Sequence, residues 1–232
     1  MRSLLVIAVL LWGCSNSEKI PQTFPGADVE LERLAAHVDL LVSQAASAAT
    51  SVAEVQEELS SMVEVDQFAR KSMALGAKYS GSEREYFLGK FHTWLAAIDR
   101  RNTLRVKELL QDIDWFRISV FGTQADHDAW LLVQHATQDI ELQRSILLTL
   151  EGLVKEGETD TVSFAYLYDR VAMGDGRPQR YGTQGNCSES GAWIPIDFED
   201  EANVDALRLA VGLGEIEIYN QLMYGNCVSF KK

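Results

Sequence analysis

From Leu31 onward the apolar positions of this chain fall at Leu31, Leu34, Val38, Leu41, Ala45, Ala48, Val52, Val55, Leu59 and Met62. The steps alternate three and four without interruption across 32 residues. A sustained repeat of that kind is the seam of a coiled coil, so the spacing predicts a long coiled-coil-like helix over 28–64. Asp28 is its expected N-cap, with Glu30 and Glu32 near the positive helix end. At 1.5 Å per residue such a helix reaches about 48 Å. Two arrangements would cover the seam: self-association through 31–62, or a fold back onto a second helix of the same chain. Either makes the segment a spacer or a packing element.

Downstream, no proline occurs between Pro25 and Pro178, and helical periodicity recurs. Helices are predicted from Asp66 to Ala77, from Ser82 (a capping box with Glu85), from Asp99 to Asp112, and from Gln124 to Thr137. Asp139 is placed to cap Ile140 to Lys155, which stops before Gly157, and Asp160 or Thr161 to start another through Met173. After Pro178 the texture changes. Tyr181 to Gln184, and Trp193-Ile194-Pro195 beyond Ser190-Gly191, read as a hairpin. Asp200 to Val211 and Ile216 to Met223 return to helix. The expected class is therefore mainly α, a compact multi-helix domain over 65–232 with one small β-hairpin. Strand–helix alternation is missing, which argues against a doubly wound sheet.

The chain start changes the picture. Met1-Arg2-Ser3 is followed by the apolar run Leu4 to Leu11, too short to span a bilayer but long enough for a signal-peptide core. It ends in Leu11-Trp12-Gly13-Cys14, which resembles the bacterial lipoprotein box despite Trp12 at a position that is usually small. The resemblance implies a signal peptide over 1–13, removal before Cys14, and palmitate-type acylation of its sulfur. Residues 14–27, with Pro21 and Pro25, read as a polar tether. The implied location is the bacterial cell envelope, lipid-anchored, and the periplasmic face of the outer membrane if two membranes are present. The membrane, through lipid on Cys14, is thus an expected partner. Asp and Glu number 34 against 21 Lys and Arg, a net charge of −13. Nucleic acid needs a basic face and is a poor partner for such a chain.

Once Cys14 is acylated, Cys187 and Cys227 remain. A pair in an exported chain suggests one disulfide between hairpin and C-terminal tail, with two free thiols as the alternative. No metal-ligand spacing such as CxxC or HxxxH occurs, and no metal or cofactor is expected. Polar residues embedded in apolar helical runs mark the candidate chemistry. They are the Asp66/Arg70 pair, Asn102-Thr103-x-Arg105, Gln134-His135 followed by Asp139 and Gln143-Arg144, and Asp169-Arg170 followed by Gln179, Tyr181 and Gln184. His135 lies on or beside a buried face, where an imidazole needs a partner, and Asp139 stands one turn on.

The segments Asn102-Thr103-Leu104-Arg105, Ala129 to Ala136, Tyr166 to Val171 and Gly176 to Gln184 resemble an uncharacterised bacterial family of unknown function. That resemblance covers roughly 66–223 and implies a shared fold without an activity. Two functions are consistent with the candidates. In the first, a polar pocket or network around His135 and the Tyr181-Gly182-Thr183-Gln184 loop binds a small ligand or an envelope protein, the loop offering backbone N–H groups. In the second, an enzyme uses His135 as general acid/base beside Asp139 or Asp169, with Arg170 and Gln184 orienting substrate.

Overall fold

A computed structural model of the chain describes residues 23–44, 51–188 and 190–229. Cys14, the lipoprotein box, the tether as far as residue 22, and Ala45 and Ala48 lie outside the described residues. Among them the chain forms eight helices: α1 (Pro25–Gln44), α2 (Val52–Ser72), α3 (Gly81–Leu109), α4 (Ile118–His135), α5 (Ile140–Glu156), α6 (Thr161–Gly174), α7 (Val204–Ala210) and α8 (Ile216–Ser229). One antiparallel hairpin, β1 (Gly185–Cys187) and β2 (Trp193–Pro195), pairs Asn186 with Ile194. The mainly helical class and the single hairpin stand as the periodicity predicts.

The heptad stretch is two helices instead of one over 28–64. Ser51 is extended (φ −119°, ψ 160°), and its side chain accepts from the Glu54 amide while the Glu54 carboxylate accepts from the Ser51 amide. This reciprocal box starts α2 afresh. At the other end, α1 begins at Pro25, a residue suited to the first turn of a helix, so Asp28 sits inside that turn and not at the cap. α1 packs on both α2 and α3. Leu34 and Val38 from α1, and Leu59 and Met62 from α2, are buried within the chain. The seam thus folds back on its own body, and α1 is part of the globule. α2 runs through the expected boundary at 64–65 without a break.

Two apolar cores result. One holds Leu34 and Val38 of α1, Val65 and Ala69 of α2, and Phe87, Phe91, Leu95 and Ile98 of α3. The other holds Leu59 and Met62 of α2, Val106 of α3, and the inner faces of α4, α5 and α6. α2 and α3 feed both cores with successive halves. Where one core gives way to the other, they carry Asp66, Asp99, Asn102 and Thr103.

Local signals set most helix ends. Asp139 caps α5 through the Leu142 amide, and Asp160 caps α6 through the Ser163 amide. Gly157 closes α5 with a left-handed φ of +72°, the conformation that glycine adopts at least cost. The box expected at Ser82 and Glu85 does not form: α3 starts at Gly81 after Ser80 and continues through Asp99 as one helix. α4 is kinked at Gly122 (φ +77°), and the Phe121 carbonyl exposed by the kink accepts from Gln56 Nε2 at 2.6 Å.

Cys187 and Cys227 form a disulfide between β1 and α8, with Cα atoms 5.4 Å apart. The loop it closes spans 40 residues, which by chain entropy contributes about 4 kcal/mol. Replacing both cysteines with serine is expected to lower the unfolding free energy by that order in urea titrations. A loss under about 1 kcal/mol would show that the tail is held by its other contacts.

Candidate functional site

The polar residues at the junction of the two cores converge on His135, the last residue of α4. Its Nδ1 lies 2.9 Å and 3.0 Å from the two oxygens of Asp66 on α2. Arg70, one turn beyond Asp66, places Nε 3.1 Å from the same carboxylate and Nη2 2.6 Å from Asp99 of α3. Arg70 Nε is also only 2.9 Å from His135 Nδ1. Both nitrogens cannot donate to one another. With Nδ1 protonated, Asp66 accepts from both, and the short nitrogen–nitrogen distance follows from two donors meeting at one carboxylate. With Nδ1 unprotonated, it accepts from the Arg70 Nε–H instead, and the closeness of both Asp66 oxygens favours the first state. His135 Nε2 then has an open lone pair, and it makes no hydrogen bond among the described residues.

Exposure separates the roles. The Asp66 side chain is 1% exposed, whereas His135 keeps 19% and Arg70 27%. Burial pushes the Asp66 carboxyl up, but hydrogen bonds and charge from His135 and Arg70 outweigh it and hold the group below the usual carboxylate range. Asp99 goes the other way. Burial raises it, the Arg70 charge opposes, and the charge of Asp66 adds to the rise.

Arg170, on α6, is the other cation near this junction. Its guanidinium is largely covered, its Nε has no hydrogen-bond partner, and burial and the charge of Arg70 both push its pKa down. Tyr166 lies one turn earlier and meets the Tyr219 ring of α8 edge-on at 6.4 Å. Gln134, beside His135, is buried, and its Oε1 also lacks a partner. Of the sequence candidates, then, His135, Gln134 and Arg170 belong to this region. Asp66, Arg70 and Asp99 complete it.

The remaining candidates serve the fold. Asp139 does not reach His135: it caps α5 and pairs with Lys107 at 2.9 Å. Asp169 is fully buried and faces away from the junction into the loop after Pro178. Its carboxylate accepts from the amides of Arg180, Tyr181 and Thr183 and from the Thr183 hydroxyl, at 2.8 to 3.2 Å. The backbone donors expected to meet a ligand are therefore turned onto an anion of the chain itself. Burial pushes the Asp169 carboxyl up, against those donors. Gln179 Oε1 accepts from the Gln184 amide, while its Nε2 donates to the carbonyls of Gln184 and Ile196. The Tyr181 carbonyl accepts from buried Arg208, and Gln184 Nε2 donates to the Thr183 hydroxyl. Gly182 (φ +70°) lets the loop press against Ile216 and Phe198, where a Cβ would come within 2.6 Å of each.

Two expectations follow for the junction. Asp66→Ala strips a buried acceptor from two donors and is expected to cost about 3–5 kcal/mol. His135→Ala leaves Asp66 bonded to Arg70 and is expected to cost about 1 kcal/mol. Equal losses in urea denaturation would contradict that asymmetry. The lowered Asp66 pKa also sets a sign with pH. Its stabilisation is complete above the unfolded Asp value of about 4 and is lost as pH falls through the lower folded value. The stability gap between wild type and Asp66→Asn should therefore narrow on acidification below about pH 4. A gap that stays constant from neutral pH down to pH 2 would show that the carboxylate is not held ionised by its partners.

Among the described residues no helix is long and apolar enough to cross a membrane, and no cluster of three His, Cys, Asp or Glu could hold a metal. No curated protein and no solved structure matches the chain. Residues 53–229, from the second residue of α2 to the end of α8, match a family of unknown function, DUF6624, and the chain belongs to that family.

Proposed function

We propose that this is a lipid-anchored cell-envelope protein whose helical domain binds a small polar ligand at His135. The observation that carries it is the Asp66–His135 pair. A buried carboxylate favours the proton on Nδ1 and so presents Nε2 as an acceptor on a partly exposed ring. A histidine kept only to fill a core would be expected to spend both nitrogens inside the chain. Acid–base catalysis is the second reading, favoured by the same geometry. A carboxylate behind Nδ1 orients the imidazole and stabilises the imidazolium formed when Nε2 takes a proton. His135 is then the proton carrier, and Asp66 positions it. The loop at Tyr181 to Gln184 makes no hydrogen bond to His135 among the described residues; its Thr183 carbonyl accepts from Tyr219.

Anchoring comes from the residues ahead of the domain. The apolar run Leu4 to Leu11 and the Leu11-Trp12-Gly13-Cys14 box support acylation of Cys14, and two or more chains suffice for stable attachment. An oxidised Cys187–Cys227 pair suits an exported protein.

Nitrogen-detected NMR of the imidazole in alkaline buffer tests the ligand site. His135 is expected as the Nδ1–H tautomer with Nε2 unprotonated. An Nε2–H tautomer bonded inside the chain would make His135 a structural residue and end this reading. Mass spectrometry of protein extracted from membranes tests the anchor, with an acylated N-terminal Cys14 expected. Material retaining residues 1–13 without acyl mass would overturn it.

A further inference from the structure

The guanidinium of Arg170 is out of balance with its surroundings. Four other arginines with substantial cover each have an acceptor: Arg70 in Asp66 and Asp99, Arg101 in the Asn102 amide oxygen, Arg105 in Glu58, and Arg208 in the carbonyls of Tyr181 and Gly214. Arg170 has no hydrogen bond or ion pair among the described residues, and its Nε is buried with no acceptor. Asp169 precedes it in the chain, yet that carboxylate is consumed by the amides of the loop at Arg180 to Thr183. Of the charges acting on Arg170, the largest effect comes from another cation, Arg70. A buried N–H without an acceptor is costly, and a second positive charge acting on the guanidinium adds to the cost.

Elsewhere among the described residues the buried atoms without a partner include N–H donors of Trp193 and Asn102 and the acceptors Gln134 Oε1 and Asn220 Oδ1. Trp193 Nε1 is buried without a partner, and its ring meets Tyr219 at 6.4 Å. Tyr219 is the phenol whose hydroxyl feels the charge of Arg170. That hydroxyl donates to the Thr183 carbonyl at 2.8 Å, which holds α8 against the loop. The Asn102 amide nitrogen, on the helix that carries Asp99, is likewise buried and unpaired. A guanidinium fork with no acceptor inside the chain is the complement of an oxyanion. Arginine, with its planar fork of donors, is suited to carboxylate and phosphate alike.

We propose that Arg170, with Arg70 beside it, is the subsite for the oxyanion of a small ligand, a phosphate or a carboxylate, whose remaining part lies toward His135. This deepens the assignment of a ligand site at His135 and rests on it for the second half of the statement. The subsite itself can stand or fall separately.

The probes are inorganic phosphate and acetate, each compared with chloride at equal ionic strength on the full ectodomain with its disulfide intact. The readouts are the Arg170 Nε–H resonance and the melting temperature. Phosphate or acetate, whichever matches the natural group, is expected to shift the Nε–H signal saturably. At about ten times its Kd it should also raise the melting temperature by about 3–6 °C. Arg170→Met, which removes the unpaired charge and keeps much of the volume, is expected to melt above wild type in chloride and to lose the response. A response to one anion and not the other identifies the group. Equal shifts with chloride would show screening alone and overturn the subsite, as would an Arg170→Met variant that melts lower than wild type with the anion response intact. His135→Gln should keep the Nε–H response. A structural tautomer at His135 together with a normal Nε–H response would therefore reject the ligand site at His135 while leaving the anion subsite in place.

Discussion

Asp66 lies on α2 beside residues of both apolar cores, and the polar junction is organised around it. Its neighbours on the helix, Met62 and Val65, belong to different cores. A carboxylate there cannot be solvated, so it must be hydrogen-bonded from within. Arg70 supplies one set of donors from the same helix, and His135 supplies another from the end of α4. Arg70 in turn spends its outer nitrogen on Asp99 of α3. Three helices are thereby locked around one charge. The same lock favours the Nδ1–H tautomer of the imidazole, so packing and chemistry meet at this point.

Asp169 offers a contrast within the molecule. It too is a fully buried carboxylate on a helix, but the donors around it are backbone amides of one loop and a hydroxyl. Every one of those donors is used up in holding the loop against α6. Its effect is rigidity: the loop supports Tyr219, which stands over the region near Arg170. Asp66 differs because its partners are side chains with more than one functional nitrogen. After His135 and Arg70 satisfy Asp66, the imidazole retains Nε2. A carboxylate bonded to backbone organises structure alone, whereas one bonded to histidine also sets up a site.

What was legible in the sequence was local. Asp139, Asp160 and Gly157 act at distances of three or four residues, and each does what its position predicts. The heptad steps marked Leu34 and Val38 of α1 and Leu59 and Met62 of α2 as buried, but also Val52, which is exposed, and periodicity alone does not register a turn when the count continues across it. The Ser51-x-x-Glu54 box was the available signal for a new start. Asp139 appeared to be one turn from His135, but α4 ends at His135, so helical spacing does not apply beyond it. The true partner lies 69 positions upstream, a pairing that no local pattern encodes. Asp66 and Arg70 were visible as a charged pair at i,i+4 and as candidate chemistry, but on a short helix from Asp66 to Ala77 with nothing to link them to His135. Asp99 was hidden differently. Followed by Arg100 and Arg101, it looked like a helix start, whereas α3 is continuous and turns that residue toward Arg70.

Net charge describes the outside of this molecule poorly suited to its inside. The excess of acid over base is 13 charges, yet the carboxylates closest to Arg170 are already committed. Asp169 is held by the loop, and Asp66 and Asp99 by Arg70 and His135. An acidic protein thus contains an interior corner in which one guanidinium is left without a carboxylate. An anion approaching it gains nothing from long-range steering, because the far field repels it. Association would be slow and weakened at low ionic strength, and affinity would have to arise at short range, from a desolvated guanidinium and its unspent Nε–H. Such an arrangement favours a compact ligand whose charge is concentrated in one group over a polyanion, whose remaining charges would meet the acidic surface. The negative exterior and the unpaired arginine are therefore complementary features, the first excluding extended anions and the second retaining a small one.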